Sequence, residues 1–356
     1  MPVATYWALS PVITSRCSFN AMIISNPSTH EIEQAAQLLQ DGSLVAFPTE
    51  TVYGLGADAQ NPAAVAQIFA LKGRPKDHPL IVHLASVELV HQFALDIPDF
   101  ATQLMAHFWP GPMTLILKKQ KGVADDASGH QSSIGLRIPD HPLAMNLLQK
   151  AAKLGVMGVA APSANRFGRV SPTRAQHVLD EFGPSLCILD GGSCDIGIES
   201  TIVDCTRGTP ILLRPGHLLA KDIERFSPEP LDTPSPKIPS NSAPKASGTL
   251  LSHYAPKARV RLMSLEELQR AFETSFPTNV ALWTKSPWSN PSGDASSLTT
   301  PLWRAMPSTA HACAHELFST LRDFDALGVS EIWIQSPPNE PEWLGVIDRL
   351  SRAAHV

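Results

Sequence analysis

From residue 22 onward, apolar positions fall in short continuous runs separated by amphipathic stretches, the pattern of buried strands joined by helices. Residues 43–47, 80–84, 113–118, 133–138, 156–160, 186–189, 201–204 and 211–213 read as strands. Helices are expected from Ser28 or Thr29 to Leu39, from Pro62 to about Leu71, over 86–95, 99–108 and 141–154, and from Thr173 to Phe182. Their ends carry physical signals. Glu31 and Glu33 stand near the positive end of the first helix dipole, behind a hydroxyl cap. Asn61-Pro62 places a cap before a proline at the first helical position, where no backbone hydrogen bond is lost. Asp41-Gly42 and Trp109-Pro110-Gly111-Pro112 are stops, and 119–131, with Gly122 and Gly129, reads as a mobile loop. Strands and helices do not alternate strictly, so a mixed sheet is expected.

The pattern breaks between Ser227 and Ser247, where six prolines and many serines leave no apolar period; this is a linker, partly extended. After it, 259–263, 280–283 and 331–334 read as strands. A capping box at Ser264-Leu265-Glu266-Glu267 opens a helix, and helices follow over 309–327 and 341–354. The domain reading is therefore a tail over 1–21, a large α/β domain over 22–226, a linker over 227–256 and a small α/β domain over 257–356. The tail carries one charge, Arg16, and no periodicity. It reads as a disordered tail, as an extension upstream of a start at Met22, or as a weak targeting segment.

Composition narrows the function. Twenty-eight Lys and Arg against 33 Asp and Glu give a formal charge of -5, which argues against holding nucleic acid by bulk charge. No apolar run approaches the roughly twenty residues of a membrane span. The five cysteines, Cys17, Cys187, Cys194, Cys205 and Cys313, form no C-x-x-C pair; neither a zinc site nor a disulfide framework is indicated, and reduced cytosolic thiols are the reading.

The candidate chemistry sits at strand ends. Lys72-Gly73-Arg74-Pro75-Lys76 sets three cations in a segment too rich in Gly and Pro for a helix, between a helix end and a buried strand. Lys and Arg converging there suit a polyanion. Pro48-Thr49-Glu50-Thr51-Val52-Tyr53-Gly54-Leu55-Gly56 offers hydroxyls and a close backbone approach, or an ordinary tight turn. Ser163, Asn165 and Ser171 lie on a Pro- and Gly-bounded loop and suit phosphate and ribose, or serve as caps and Asx turns. Arg137 ends an apolar strand and needs an anion, from a ligand or from a protein carboxylate such as Asp140. Ser200 and Arg214 repeat the theme, whereas His83, inside an apolar strand, reads by default as a core histidine. No nucleophile-and-base pair, H-E-x-x-H or Walker loop is present. A site of Lys, Arg, Ser and Thr fits chemistry done by positioning and charge neutralisation, such as nucleotidyl transfer.

Together the P-T-E-T-V-Y-G-L-G stretch, Lys72-Gly73-Arg74-Pro75, Pro162-Ser163-Ala164-Asn165, Ser171-Pro172-Thr173, Gly197-Ile198-Glu199-Ser200-Thr201 and Leu213-Arg214-Pro215-Gly216 resemble the threonylcarbamoyl-AMP synthase family, over about residues 22–220. His253-Tyr254-Ala255-Pro256 resembles the H-Y-A-P signature of its long, two-domain form; Ala246 to Leu251 departs from the S-P-G-M-x-Y-like segment typical before it. The resemblance implies a YrdC-like twisted mixed sheet with helices, then the linker and a small Rossmann-like α/β domain. It implies a cytoplasmic nucleotidyltransferase that makes L-threonylcarbamoyl-AMP and pyrophosphate from L-threonine, bicarbonate and ATP, the first step of threonylcarbamoyladenosine formation in tRNA. Lys72 and Arg74 would be catalytic. ATP would be bound by Lys72, Arg74, His78, Ser133, Ser163, Asn165, Ser171, Arg214 and Tyr254, and threonine by Thr51, His83, Arg137, Ala161 and Ser200. Tyr254 would reach back so that the linker covers the nucleotide. Mg2+ would arrive on the ATP phosphates, with no protein metal site and no organic cofactor. Partners beyond the substrates would be tRNA and the downstream threonylcarbamoyl-transferase complex, and no membrane.

Rival readings are a non-catalytic RNA-binding module of the same fold, the related domain of a hydrogenase-maturation carbamoyltransferase, and the same enzyme acting on another amino acid. The overall acidity opposes the first, and the missing C-x-x-C pairs oppose the second.

Overall fold

The expected strands pair into two separate sheets. The structure, a computed structural model, describes residues 23–227, 231, 244, 248, 253–274, 279–286 and 302–355. The tail over 1–21 and most of the linker lie outside the described residues. In chain order the first sheet holds β1 (Ile23–Ser25), β2 (Val45–Phe47), β3 (Gly54–Asp58), β4 (Ile81–His83), β5 (Met113–Lys118), β6 (Ser133–Arg137), β7 (Val159–Ala160), β8 (Cys187–Asp190), β9 (Thr201–Asp204) and β10 (Ile211–Arg214). Their spatial order is β1-β8-β2-β3-β7-β4-β6-β5-β9-β10. Parallel pairs such as β4 with β6 and antiparallel pairs such as β3 with β7 alternate irregularly, so the sheet is mixed, as expected.

Helix starts follow their sequence signals. Ser28 and Glu31 form a reciprocal capping box for the helix Thr29–Gln40, and Asn61 accepts from the amides of Ala63 and Ala64 to open Pro62–Lys72. Gly73 closes that helix with φ +64, a left-handed conformation that glycine adopts without Cβ strain. The expected helix over 86–95 is a 3-10 turn, Val87–Leu89, running into one helical turn, Val90–Phe93. Residues 119–131, expected to be a mobile loop, form packed turns with Ala127 and Ser128 fully buried, and Ala127 O accepts from Leu80 N.

The second sheet is entirely parallel: β11 (Arg259–Met263), β14 (Glu331–Gln335), β12 (Val280–Thr284) and β13 (Leu302–Ala305), in that spatial order. The helices Leu265–Thr274, Ala310–Ala326 and Leu344–Ala354 accompany it, the arrangement parallel crossovers require. Strands β1, β3 and β13 and the short helix Ala220–Glu224 have no counterpart in the sequence reading. In β3, Gly54 and Gly56 are strand residues rather than a tight turn. A Cβ on Gly56 would lie 2.8 Å from Phe47 and 2.9 Å from Val159, so the glycine there makes room for neighbouring strands.

Packing joins the two domains. One hydrophobic cluster combines Leu317, Phe318, Val346 and Leu350 of the small domain with Val52, Val170, Ile196 and Ile198 of the large one, and includes Tyr254. Val52, Val170 and Ile198 belong to the same loops that carry Thr51, Ser171 and Ser200.

Candidate active site

A single cavity gathers residues from almost every motif picked out in the sequence. Of the predicted site residues, Thr51, Lys72, Arg74, His83, Arg137, Ala161, Ser163, Asn165, Ser200, Arg214 and Tyr254 line it. It lies over the face of the central strands: Ile81 and His83 project to one side of β4, and Arg137 is the direct partner of His83 across β6.

At one end, Arg137 is 4% exposed and held by three groups. Its Nη1 donates to Thr51 Oγ1 at 2.9 Å, its Nε donates to Gly111 O at 3.2 Å, and its Nη2 lies 2.6 Å from Glu50 Oε1 without hydrogen-bond alignment. Asp140, offered as one possible carboxylate partner, is exposed. The partner is Glu50, brought in by the turn after β2. Thr49 and Thr51 share a hydrogen bond of 2.8 Å, which fixes the hydroxyl that Arg137 reads. Burial, then Arg137, pushes the His83 pKa down to about 3, so its ring is neutral at pH 7; its Nδ1 has no partner among the described residues.

At the other end stand Lys72, Arg74 and Arg214, each under 8% exposed. Lys72 Nζ donates to the carbonyls of Ser163 (2.6 Å) and Asn165. Arg74 Nη2 donates to Pro79 O at 2.8 Å, and its guanidinium lies 5.7 Å from the Phe167 ring centre. Arg214 Nε donates to Ser200 O at 3.0 Å and Nη2 to Ser200 Oγ at 3.1 Å. Burial is the main cause lowering all three pKa values, with Arg74 reaching about 10. These three basic groups stand together at one end of the cavity, where an anionic ligand would offset the cost of their burial.

Asn165 shapes the loop that presents Ser163: its Nδ2 donates to Arg166 O and Arg169 O, while its buried Oδ1 has no partner among the described residues. Tyr254 packs over the cavity beside His253 and Gly248. Its buried hydroxyl is likewise without a partner among the described residues. Gly248, with φ +76, lies so close that a Cβ would come within 2.6 Å of Tyr254 Oη and 2.8 Å of Arg214 Nη1. The departing segment before H-Y-A-P therefore still reaches the cavity through this glycine. The cavity is narrow, with about 40 Å3 open to the centre of a water-sized sphere.

Three predicted residues stand outside the cavity wall. Ser133 begins β6, four residues before Arg137, and at about 3.3 Å per residue lies ~13 Å away along the strand. It lines a separate depression with Lys118 and Thr206. His78 is half-buried behind Phe167, ring edge to ring face, with centroids 5.6 Å apart. Ser171 is fully buried, and its hydroxyl donates to Glu199 Oε1.

Glu199, Glu50, Phe167 and Arg349 are the residues the sequence reading missed as parts of the site. Glu50 and Glu199 stand inside two of the quoted motifs, carboxylates among hydroxyl residues beside buried strands, which is a usable signal. Arg349 has none: it reads as one polar position on an amphipathic helix. Yet it is 0% exposed, and its Nε donates to Glu199 Oε2 at 3.0 Å.

Comparison with known proteins gives the family and the fold. The family model described as telomere recombination matches residues 37–216, and the one described as threonylcarbamoyl-AMP synthase, C-terminal domain, matches 219–355. The threonylcarbamoyl-AMP synthase of Pyrococcus abyssi is 38% identical over 91% of this chain and 94% of that protein. The Bacillus subtilis one is 36% identical over 91% and 93%. The crystal structure of P. abyssi Sua5 complexed with L-threonine superposes with a TM-score of 0.82 at 35% identity, covering 93% of this chain and 97% of that one.

Proposed function

The chain belongs to the threonylcarbamoyl-AMP synthase family, and on that premise we propose that it is a nucleotidyltransferase making L-threonylcarbamoyl-AMP and pyrophosphate from L-threonine, bicarbonate and ATP. The observation that carries the reading is the joining, in one cavity, of a buried end with three basic side chains and an end built around Arg137, its Glu50 partner and neutral polar groups.

ATP takes the cationic end. Lys72, Arg74 and Arg214 neutralise the phosphates, with Ser163 and Asn165 beside them and Tyr254 above. Threonine takes the other end: its carboxylate faces Arg137, and Thr51, His83, Ser200 and the Ala161 backbone supply neutral contacts. The neutral His83 adds no charge, so Arg137 alone there answers the carboxylate. The threonine amine adds to CO2, the dehydration product of bicarbonate, and loses a proton to give a carbamate. A carbamate oxygen attacks the α-phosphorus in line, forming the new O–P bond as the bond to the β-phosphate oxygen breaks and pyrophosphate leaves. The carbamate is already an anion, so no general base is required of the protein. Mg2+ enters as part of the nucleotide substrate and supplies charge neutralisation on the leaving phosphates. Among the described residues no three His, Cys, Asp or Glu side chains cluster as a metal cage. Glu199 offers none of the usual free carboxylate, since Ser171 and Arg349 take its oxygens.

Closing the cover over ATP would exclude water from a mixed anhydride that hydrolyses readily. The product supplies the threonylcarbamoyl group to tRNA through a downstream transferase complex, and we place the protein in the cytoplasm. No helix among the described residues is long and apolar enough to cross a membrane. The test is pyrophosphate release from ATP with each of threonine and bicarbonate omitted in turn, and across the other amino acids. Release that requires both, and prefers threonine, is expected. ATP-independent RNA binding with no release would favour the RNA-binding module, and equal rates without bicarbonate would overturn the carbamate route.

A further inference from the structure

Behind the cationic end, a residue of the small domain takes one oxygen of a buried carboxylate. Arg349, on the helix Leu344–Ala354, does not line the cavity but sits against its back. Its Nε donates to Glu199 Oε2 at 3.0 Å, its Nη2 to Glu199 O at 3.1 Å and its Nη1 to Pro215 O. Glu199 and Pro215 flank Ser200 and Arg214, the residues these loops bring to the cavity. The remaining Glu199 oxygen accepts from Ser171 Oγ. Glu199 itself lines the cavity, near enough to Lys72 and Arg214 for each to feel its charge.

The fold is built to bring this arginine in. Gly345 and Gly216 are in backbone contact across the joint: a Cβ on Gly345 would lie 2.6 Å from Gly216 O, and one on Gly216 2.5 Å from Thr201 N. A second arginine of the small domain grips the neighbouring loop. Arg322 donates to Val170 O and Ser171 O and pairs with Glu181 at 2.9 Å. The two arginines thus fix both supports of Glu199, its loop and its Ser171 partner.

We infer that Arg349 is a positioning residue for the nucleotide end: it holds the Glu199 carboxylate in a fixed place beside Lys72 and Arg214, so that this anion does not close on them where a polyanion would bind. The inference rests on the proposed nucleotide reading and assigns the small domain a part in it. Burial works to raise the Glu199 pKa, and Arg349, then Arg214 and the Ser171 hydroxyl, outweigh it, so the group stays ionised. Without Arg349 that anion would turn to Arg214 and Lys72, opposing phosphate where attraction is needed. Removing one member of a buried pair is harsher than removing both.

The test is Mg·ATP affinity by calorimetry for the full chain, R349M, R349K, E199Q and E199Q/R349M, with threonine affinity measured alongside and folding checked by circular dichroism. R349M is expected to bind ATP at least tenfold more weakly with threonine affinity within twofold of the parent, R349K to stay within about threefold, and E199Q/R349M to return to within about threefold. An R349M protein that binds ATP normally, or a double variant as weak as R349M, overturns the inference. If R349M does not fold, R349K and the double variant decide by the same limits: a tenfold loss in either one overturns it. Absent threonine binding in the parent would sink the proposed reaction while the ATP arm still decides Arg349.

Discussion

The two ends of the cavity use buried charge in opposite ways. Around Arg137 the charge is balanced inside the protein: Glu50 lies at 2.6 Å, and a threonine hydroxyl and a backbone carbonyl take the other donors. Around Lys72, Arg74 and Arg214 most partners are carbonyl oxygens, and the nearby carboxylate, Glu199, is tied to Arg349. A balanced end is rigid before any ligand arrives and can discriminate by geometry; an unbalanced end is desolvated but short of anion, and gains most from a triphosphate. Selectivity for an amino acid and avidity for a nucleotide are thereby built from the same residue types within one cavity.

Breaking the unbalanced end has the largest expected effect. Lys72→Ala or Arg74→Ala should lower threonine-dependent pyrophosphate release by about a hundredfold or more, with the thermal midpoint retained. Full activity in both variants refutes the assignment. At the balanced end the larger consequence is on stability. Arg137→Ala strands Glu50 at 5% exposure and should cost ~3–5 kcal/mol in urea unfolding; Glu50→Gln/Arg137→Met should recover much of it while leaving threonine binding poor. Asp140→Ala, at the exposed carboxylate offered as one possible partner of Arg137, should change stability by no more than ~0.5 kcal/mol.

A further effect sharpens the contrast through pH. His83 has its pKa depressed to about 3 from 6.5, so the unfolded chain takes up the proton first. Stability from the neutral buried ring is complete above pH 6.5 and is lost as pH falls towards 3. His253, depressed to about 3, acts in the same direction. Urea midpoints measured from pH 7 down to pH 4 should therefore fall, and His83→Gln should flatten part of that slope. An unchanged slope would mean that His83 is not buried as a neutral ring.

Much of the site was legible because its cations and hydroxyls sit in short motifs beside obvious strands. The Lys72–Arg74 segment announces itself by charge where Gly and Pro forbid a helix, and the structure does put both side chains in the cavity. Ser133 shares a strand and a face with Arg137 but stands at its opposite end, ~13 Å away along the strand and beyond the cavity wall. Ser171 is one bond removed, acting on Glu199. β3 was hidden because Gly54 and Gly56 carry no β-propensity, and their purpose is visible only beside Phe47, Val159 and Ala161.

The amino-acid order by itself marked most strands and helices, the cap at Asn61, the break at the proline-rich linker and the segments rich in basic and hydroxyl residues. All of these depend on neighbours within a few residues, where backbone geometry and side-chain chemistry act locally. Tertiary structure alone decided that Glu50 rather than Asp140 answers Arg137, and that Arg349 crosses from the small domain to hold Glu199. Partners separated by 150 residues meet only through sheet order and domain docking, and no local period encodes which buried charge will face which.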